Sequence, residues 1–110
     1  MAGKFVVNKM KNGKDFFVLK AGNGEVILTS EAYNSNAACM NGIESVRNNC
    51  SDEKCFEVKE AKDGREYFVL KAKNHQVIGR SQMYKSTSGC QNGIASVGRS
   101  AADAEIRDDR

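Results

Sequence analysis

A repeat at a fixed offset of 51 residues constrains this chain more than any other feature. Phe16-Phe17-Val18-Leu19-Lys20-Ala21 returns as Tyr67-Phe68-Val69-Leu70-Lys71-Ala72, and Asn41-Gly42-Ile43-Glu44-Ser45-Val46 returns as Asn92-Gly93-Ile94-Ala95-Ser96-Val97. The register runs without a gap from Phe5/Phe56 to Val46/Val97. A unit of about 50 residues lies near the lower limit at which a core holds a fold without staples. Two such units packed together are comfortable, and the join, Asn48-Asn49-Cys50-Ser51-Asp52-Glu53-Lys54, is short and polar. The expectation is one domain over residues 1–110, with repeats at 4–49 and 55–100 and a frayed, charged tail at 101–110.

Each unit reads β-β-β-α. Phe56 and Val58 alternate with Glu57 and Lys59, the pattern of a half-buried strand. Asn12-Gly13 and Asp63-Gly64 then suggest type I′ hairpin turns. The second strand has apolar residues on both faces: Phe17 and Leu19 on one, Phe16 and Val18 on the other. A turn at Asn23-Gly24, or Asn74-His75, precedes a third strand. Ser35 and Ser86 or a neighbour are expected to cap the helices, with Cys39, Ile43 and Val46, and Cys90, Ile94 and Val97, facing the sheet. Asn48-Asn49 and Gly98 are expected to end them. Gly42 and Gly93 break the helical preference in both units, at about 1 kcal/mol each relative to Ala, which implies close backbone approach or a break. The fold class is therefore α+β: two tandem β-β-β-α repeats packed as one pseudo-twofold domain, helices against an antiparallel sheet.

Composition narrows function mainly by exclusion. The net charge of +3 comes from cations and anions that alternate along the chain, an ordinary solvated surface. No apolar leader precedes Phe5, and no apolar run is long enough to cross a bilayer, so a cytoplasmic protein without a membrane partner is expected. The four cysteines lack Cys-x-x-Cys spacing and there is one histidine, so no metal set and no cofactor are expected. Cys50 and Cys55 could form a disulfide or redox switch; free thiols are the plainer expectation.

No catalytic residue stands out. His75 occupies a turn tip, where an orienting partner is rare, and Cys39 and Cys90 fall on the apolar helix face. Ser30 with Tyr33, and Ser81 with Tyr84, sit where the third strand hands over to the helix. They could form a ligand rim present twice, or simply cap turns and pack rings. Phe16, Val18, Lys20, Tyr67, Val69 and Lys71 form a possible interaction face. Aromatic platforms beside lysines also occur in single-stranded nucleic-acid binders, but Asp15 and Glu66 interrupt the charge and no RNP-like motif appears.

With both units laid out, the chain resembles the YegP-like family of small bacterial proteins, named for a tandem domain of unknown function. The resemblance rests on Phe17-Val18-Leu19-Lys20-Ala21, Asn23-Gly24-Glu25-Val26-Ile27, Ser30 with Tyr33, and Asn41-Gly42-Ile43 with Ser45-Val46, and on their second-unit counterparts from Phe68 to Val97. It covers residues 4–100. It implies an α+β fold of two related halves, supplies no catalytic residue, and leaves function open. The expected role is a non-enzymatic binding or interaction domain, a monomer whose partner is left open, a protein being one option; the alternative is a weak nucleic-acid or anion binder.

Overall fold

The computed structural model describes residues 3–110, so Met1 and Ala2 of the expected domain lie outside it. Three strands, β1 (Lys4–Lys9), β2 (Asp15–Lys20) and β3 (Val26–Ser30), lead into helix α1 (Asn36–Asn49). After a 3-10 turn at Glu53–Cys55 the order recurs as β4 (Phe56–Glu60), β5 (Glu66–Lys71), β6 (Val77–Arg80) and α2 (Thr87–Ala101), and β7 (Glu105–Asp108) follows. The fold is α+β, with one seven-stranded sheet in the order β4-β5-β6-β3-β2-β1-β7. The two triplets join where β3 pairs antiparallel with β6, Thr29 opposite Arg80 and Ser30 opposite Gly79.

Two expectations need correction at the sheet edge. The sheet is mixed rather than antiparallel, because β7 pairs parallel with β1, Phe5 opposite Ile106 and Val6 opposite Arg107. The tail is therefore not frayed. Arg47 donates to Ala104 O at 2.5 Å, Asp109 N donates to Val7 O at 2.9 Å, and Arg110 Nη1 lies 3.0 Å from the buried Asp15 Oδ2. A tail with one large apolar residue becomes ordered because the outer edge of β1 offers unpaired backbone groups.

The turns are one residue longer than type I′ turns. Gly13 N donates to Met10 O at 3.0 Å while Met10 N donates to Lys14 O at 2.7 Å. Only Gly13 of that loop has positive φ, at 85°. This is a three-residue loop, a type I turn followed by a left-handed residue. The same two bonds recur at Ala21/Gly24/Glu25, Ala61/Gly64/Arg65 and Ala72/His75/Gln76. In each loop an Asn or Asp side chain accepts from the backbone two residues on: Asn12, Asn23, Asp63 and Asn74. That local bond favours a right-handed conformation at the Asn or Asp and leaves the positive φ to the next residue.

Ser35 and Ser86 cap the helices, each Oγ accepting from a backbone N–H at 3.1 Å. α1 ends at Asn49, as expected. Gly98 does not end α2, which continues to Ala101; a Cβ on Gly98 would lie 3.3 Å from Cys50 O, so the glycine marks a close approach to the end of α1. The core combines Phe5, Val7, Phe17, Leu19, Leu28, Phe68 and Leu70 with Cys39, Ile43, Val46, Cys90 and Val97 from the helices. All four cysteines are buried free thiols, so Cys50 and Cys55 form no disulfide. Among the described residues no helix is long and apolar enough to cross a membrane.

His75 holds φ at 69°, in the position Gly13, Gly24 and Gly64 take in the other three loops. A side chain there costs about 1 kcal/mol. His75→Gly is expected to raise stability by about 0.5–1 kcal/mol in chemical denaturation. A loss of stability would mean that the imidazole makes a compensating contact.

Candidate functional site: an uncovered sheet face

Register decides which residues share a face. One row of paired residues crosses every strand: Glu57, Val69, Arg80, Thr29, Val18, Val6 and Arg107. Neighbours along a strand point oppositely, so Phe17 and Phe68 both lie on the other side. Gly42 of α1 packs against Phe17 and Gly93 of α2 against Phe68, which places both helices on that side. Among the described residues no element covers the face carrying Val18 and Val69.

The six expected interaction residues sit on this open face by strand alternation. They are not contiguous, since β3 and β6 lie between β2 and β5. The strands run oppositely, so Phe16 shares an end of the face with Lys71, and Tyr67 shares the other end with Lys20. Phe16, Val18, Lys20, Tyr67 and Lys71 are half-buried. Val69 is only 5 % exposed, because its ladder neighbours Glu57 and Arg80 carry long side chains that shield it. Thr29, Arg80, Val6 and Lys4 complete the face; the sequence marks Leu28-Thr29 against Gly79-Arg80 as a point where the units diverge, without placing Thr29 and Arg80 on this face. Val6 could have been found from the alternation of β1; Thr29 and Arg80 depend on the β3–β6 pairing, which no local pattern announces.

Charge on the face is largely paired. Lys71 bridges Glu57, and hydrogen bonding to that ammonium holds the Glu57 carboxyl below the usual carboxylate range. Arg80 lies 3.5 Å from Glu31, and Arg107 lies 3.1 Å from Asp109. Exposed pairs of this kind contribute little to stability, because solvent screens them. They nevertheless lower the positive potential that a polyanion would meet.

The expected ligand rim does not come together as one site. Ser30 Oγ accepts from Phe17 N at 2.9 Å and donates to Glu31 O at 2.8 Å; Ser81 does the same with Phe68 N and Gln82 O at 2.9 and 2.8 Å. Both hydroxyls are thus engaged by backbone groups. They share a hollow of about 570 Å³ with Thr29 and Arg80 at the β3–β6 join. Tyr33 lines a different cleft, about 700 Å³, between α1 and the β5–β6 hairpin, with Asn41, Ser45, Asn74 and Gln76. Tyr33 stacks on Phe17 at 6.2 Å with a 5° interplanar angle, and Tyr84 on Phe68 at 6.3 Å and 11°. Burial pushes both tyrosine hydroxyls up from their ordinary pKa. Burial likewise raises the Cys39, Cys50 and Cys90 thiols, which disfavours the thiolate needed for nucleophilic chemistry.

The comparisons agree with this architecture. The model of the domain of unknown function DUF1508 matches residues 11–57 and again 61–108. The chain belongs to the DUF1508 family. The matched segments begin at β2 and β5 and end in β4 and β7, so the family's own frame takes β7 as the second unit's last strand. Relatives include a UPF0339 protein of Mannheimia succiniciproducens, 52% identical over 106 residues (96% of this chain, 94% of the relative). The UPF0339 protein YegP of Escherichia coli O157:H7 is 49% identical over 108 residues, covering 98% of each chain. Two solution structures match: YegP of E. coli, described as of unknown function, with a TM-score of 0.94, 48% identity and 99% and 94% of the two chains covered; and a UPF0339 protein of Shewanella oneidensis, with 0.92, 50%, 98% and 92%.

The helical glycines are packing residues. A Cβ on Gly42 would lie 2.8 Å from Tyr33 Cζ and 3.0 Å from Phe17 Cε2, with matching distances of 2.8 and 3.0 Å at Gly93 to Tyr84 and Phe68. Overpacking of this kind costs about 1–3 kcal/mol, against about 1 kcal/mol gained in helix propensity. Gly42→Ala is expected to destabilise the protein by about 1 kcal/mol or more in denaturant titration. A stabilised variant would show that the Tyr33 ring yields without cost.

Proposed function

We propose that this protein is a non-enzymatic binding domain that presents its open sheet face to a protein partner. The observation that carries the reading is the row Val69, Arg80, Thr29, Val18 and Val6, with Phe16 and Tyr67 beside it, on the side away from both helices. Half-buried Phe16, Val18 and Tyr67 around exposed Thr29 and Arg80, with Val6 and Val69 buried between longer side chains and paired charges at the flanks, fit a protein interface better than a small-molecule site, because apolar residues with polar rims mark such interfaces. The Thr29–Arg80 pair joins residues themselves 51 apart in sequence, which supports an approximate twofold relation between the units. The face is thus nearly symmetric, and a partner would meet Phe16 and Tyr67 at opposite corners. Four buried free thiols favour a reducing compartment, the cytoplasm, as its place of work.

A photo-crosslinking residue at Phe16 or Tyr67, introduced in bacterial cells, is expected to give the same discrete protein adduct at both positions. Val18→Glu should abolish it while leaving the folded spectrum intact, and a crosslinker at the turn residue Lys11 should give none. Equal adducts at Lys11, or adducts unaffected by Val18→Glu, would sink the reading.

A second reading, a single-stranded nucleic acid on the same face, is favoured by Lys4, Lys20 and Lys71 beside Phe16 and Tyr67. The Glu57 and Glu31 pairs weigh against it. Labelled oligonucleotide titrated at low salt should then bind weakly and release steeply as salt rises; a flat curve removes the reading.

A further inference from the structure

The two edges of the sheet end differently, although the 51-residue offset equates their strands. β1 carries β7 on its outer side, while β4 carries no strand among the described residues. Val6 and Val7 are accordingly 4 % and 0 % exposed, and Val58 is 39 % exposed. The helix above each edge differs in the same sense. Met40, Glu44 and Arg47 of α1 become Gln91, Ala95 and Gly98 in α2. Arg47 lies over the Phe5 ring at 5.5 Å and holds Ala104, the residue that leads into β7. Gly98 leaves the flank of Phe56 open. The result is a hollow of about 440 Å³ lined by Cys50, Phe56, Val58, Ile94, Ala95 and Gly98.

We propose that β4 and α2 together form a docking groove for an extended peptide segment of a partner protein. The segment adds parallel to β4 as a further strand. It places an aliphatic side chain in the hollow beside Phe56, a basic residue opposite Glu57 and an acidic residue opposite Lys59. This site is the edge of the sheet: its hollow lies on the helix side, while Glu57 and Lys59 project on the side of the open face.

The occupant's chemistry is read from β7 itself, which shows how this fold takes an added strand. On β1, Ile106 stands opposite Phe5 and Arg107 opposite Val6. Carried over by the repeat to β4, the same register puts Ile106 opposite Phe56, Arg107 opposite Glu57 and Asp109 opposite Lys59. Arg107 faces a valine on β1, whereas on β4 it would meet Glu57, whose carboxylate Lys71 and Lys59 already flank, so the basic residue joins an existing charge cluster. Alternating charges on an edge strand also deter indiscriminate pairing. That role requires neither Gly98 nor Ala95, which open the space above the strand. Added strands gain affinity from main-chain hydrogen bonds and specificity from pockets for alternate side chains, and β4 offers both.

The probe is a synthetic peptide of residues Asp103–Arg110, titrated into isotope-labelled full-length protein and followed by amide chemical shifts. Saturable shifts are expected at Phe56–Lys59 and along the Gln91–Gly98 face of α2. Ala95→Arg, which fills the hollow without adding a Cβ at the close approach of Gly98 to Cys50 O, should abolish them while preserving spectral dispersion. Glu57→Lys should weaken binding by about tenfold, and a peptide carrying Arg107→Glu should recover it. Three results overturn the proposal: no shifts at millimolar peptide; shifts confined to β1, meaning exchange with the resident β7; or concentration-dependent shifts at β4 without peptide, meaning that another molecule's β4 is the occupant.

Discussion

The pairing of β3 with β6 is the contact on which the rest of this molecule depends. It is short, Thr29 opposite Arg80 and Ser30 opposite Gly79, yet it turns two small sheets into one. Each unit alone would be three strands and a helix, near the lower limit for a self-sufficient core. The seam is also sterically demanding. A Cβ on Gly79 would lie 2.7 Å from Thr29 O and 3.2 Å from Ser30 Cα. The first unit has Leu28 at the equivalent position, fully buried. One unit therefore fills the seam and the other makes room for it.

Joining the sheets fixes where everything else can go. Phe5, Phe17 and Tyr33 form one aromatic series, edge-on at 5.7 Å and then stacked, and Phe56, Phe68 and Tyr84 repeat it at 5.6 Å. Each tyrosine extends its series over a helical glycine, which sets the height of the helix above the sheet. Because the β3–β6 register puts both phenylalanine series on one side, both helices follow them there. The uncovered face is thus a consequence of the seam and not a separate feature.

Much of this was legible in the sequence because it is local and stated twice. Alternation located the strands, the serines marked the helix starts, and the paired glycines announced a close approach whose partner, tyrosine, only packing could name. Alternation alone put Phe16, Val18 and Lys20 on one face, but not that the face is open: apolar residues on both sides of β2 suggest a covering element on each. What stayed hidden depends on distant pairing. Arg80 is an ordinary cation in the sequence and becomes the centre of the face only through Thr29. Ser30 and Ser81 looked available, and their hydroxyls prove to be engaged by the Phe17 and Phe68 amides across the hairpin. The turns were misassigned because the same Asn-Gly dipeptide serves a two-residue and a three-residue loop, and bonding of the Asn side chain selects the latter.

The tail carries the sharpest lesson about repeats. A frame that starts at β1 makes residues 101–110 a remainder, whereas the family's segments, 11–57 and 61–108, make β7 the counterpart of β4. Both frames describe one chain with three first-strand-like segments and only two inner positions beside β2 and β5. β1 and β4 occupy those positions, and β7 is displaced to the outside of β1. Arg47 and Met40 then suit a strand that is always present, while Gln91 and Gly98 at the same helical positions suit an edge that has none of its own. The two units diverge most where one has its added strand and the other lacks it. That divergence follows the arithmetic of the fold, an odd number of strand segments shared between two edges.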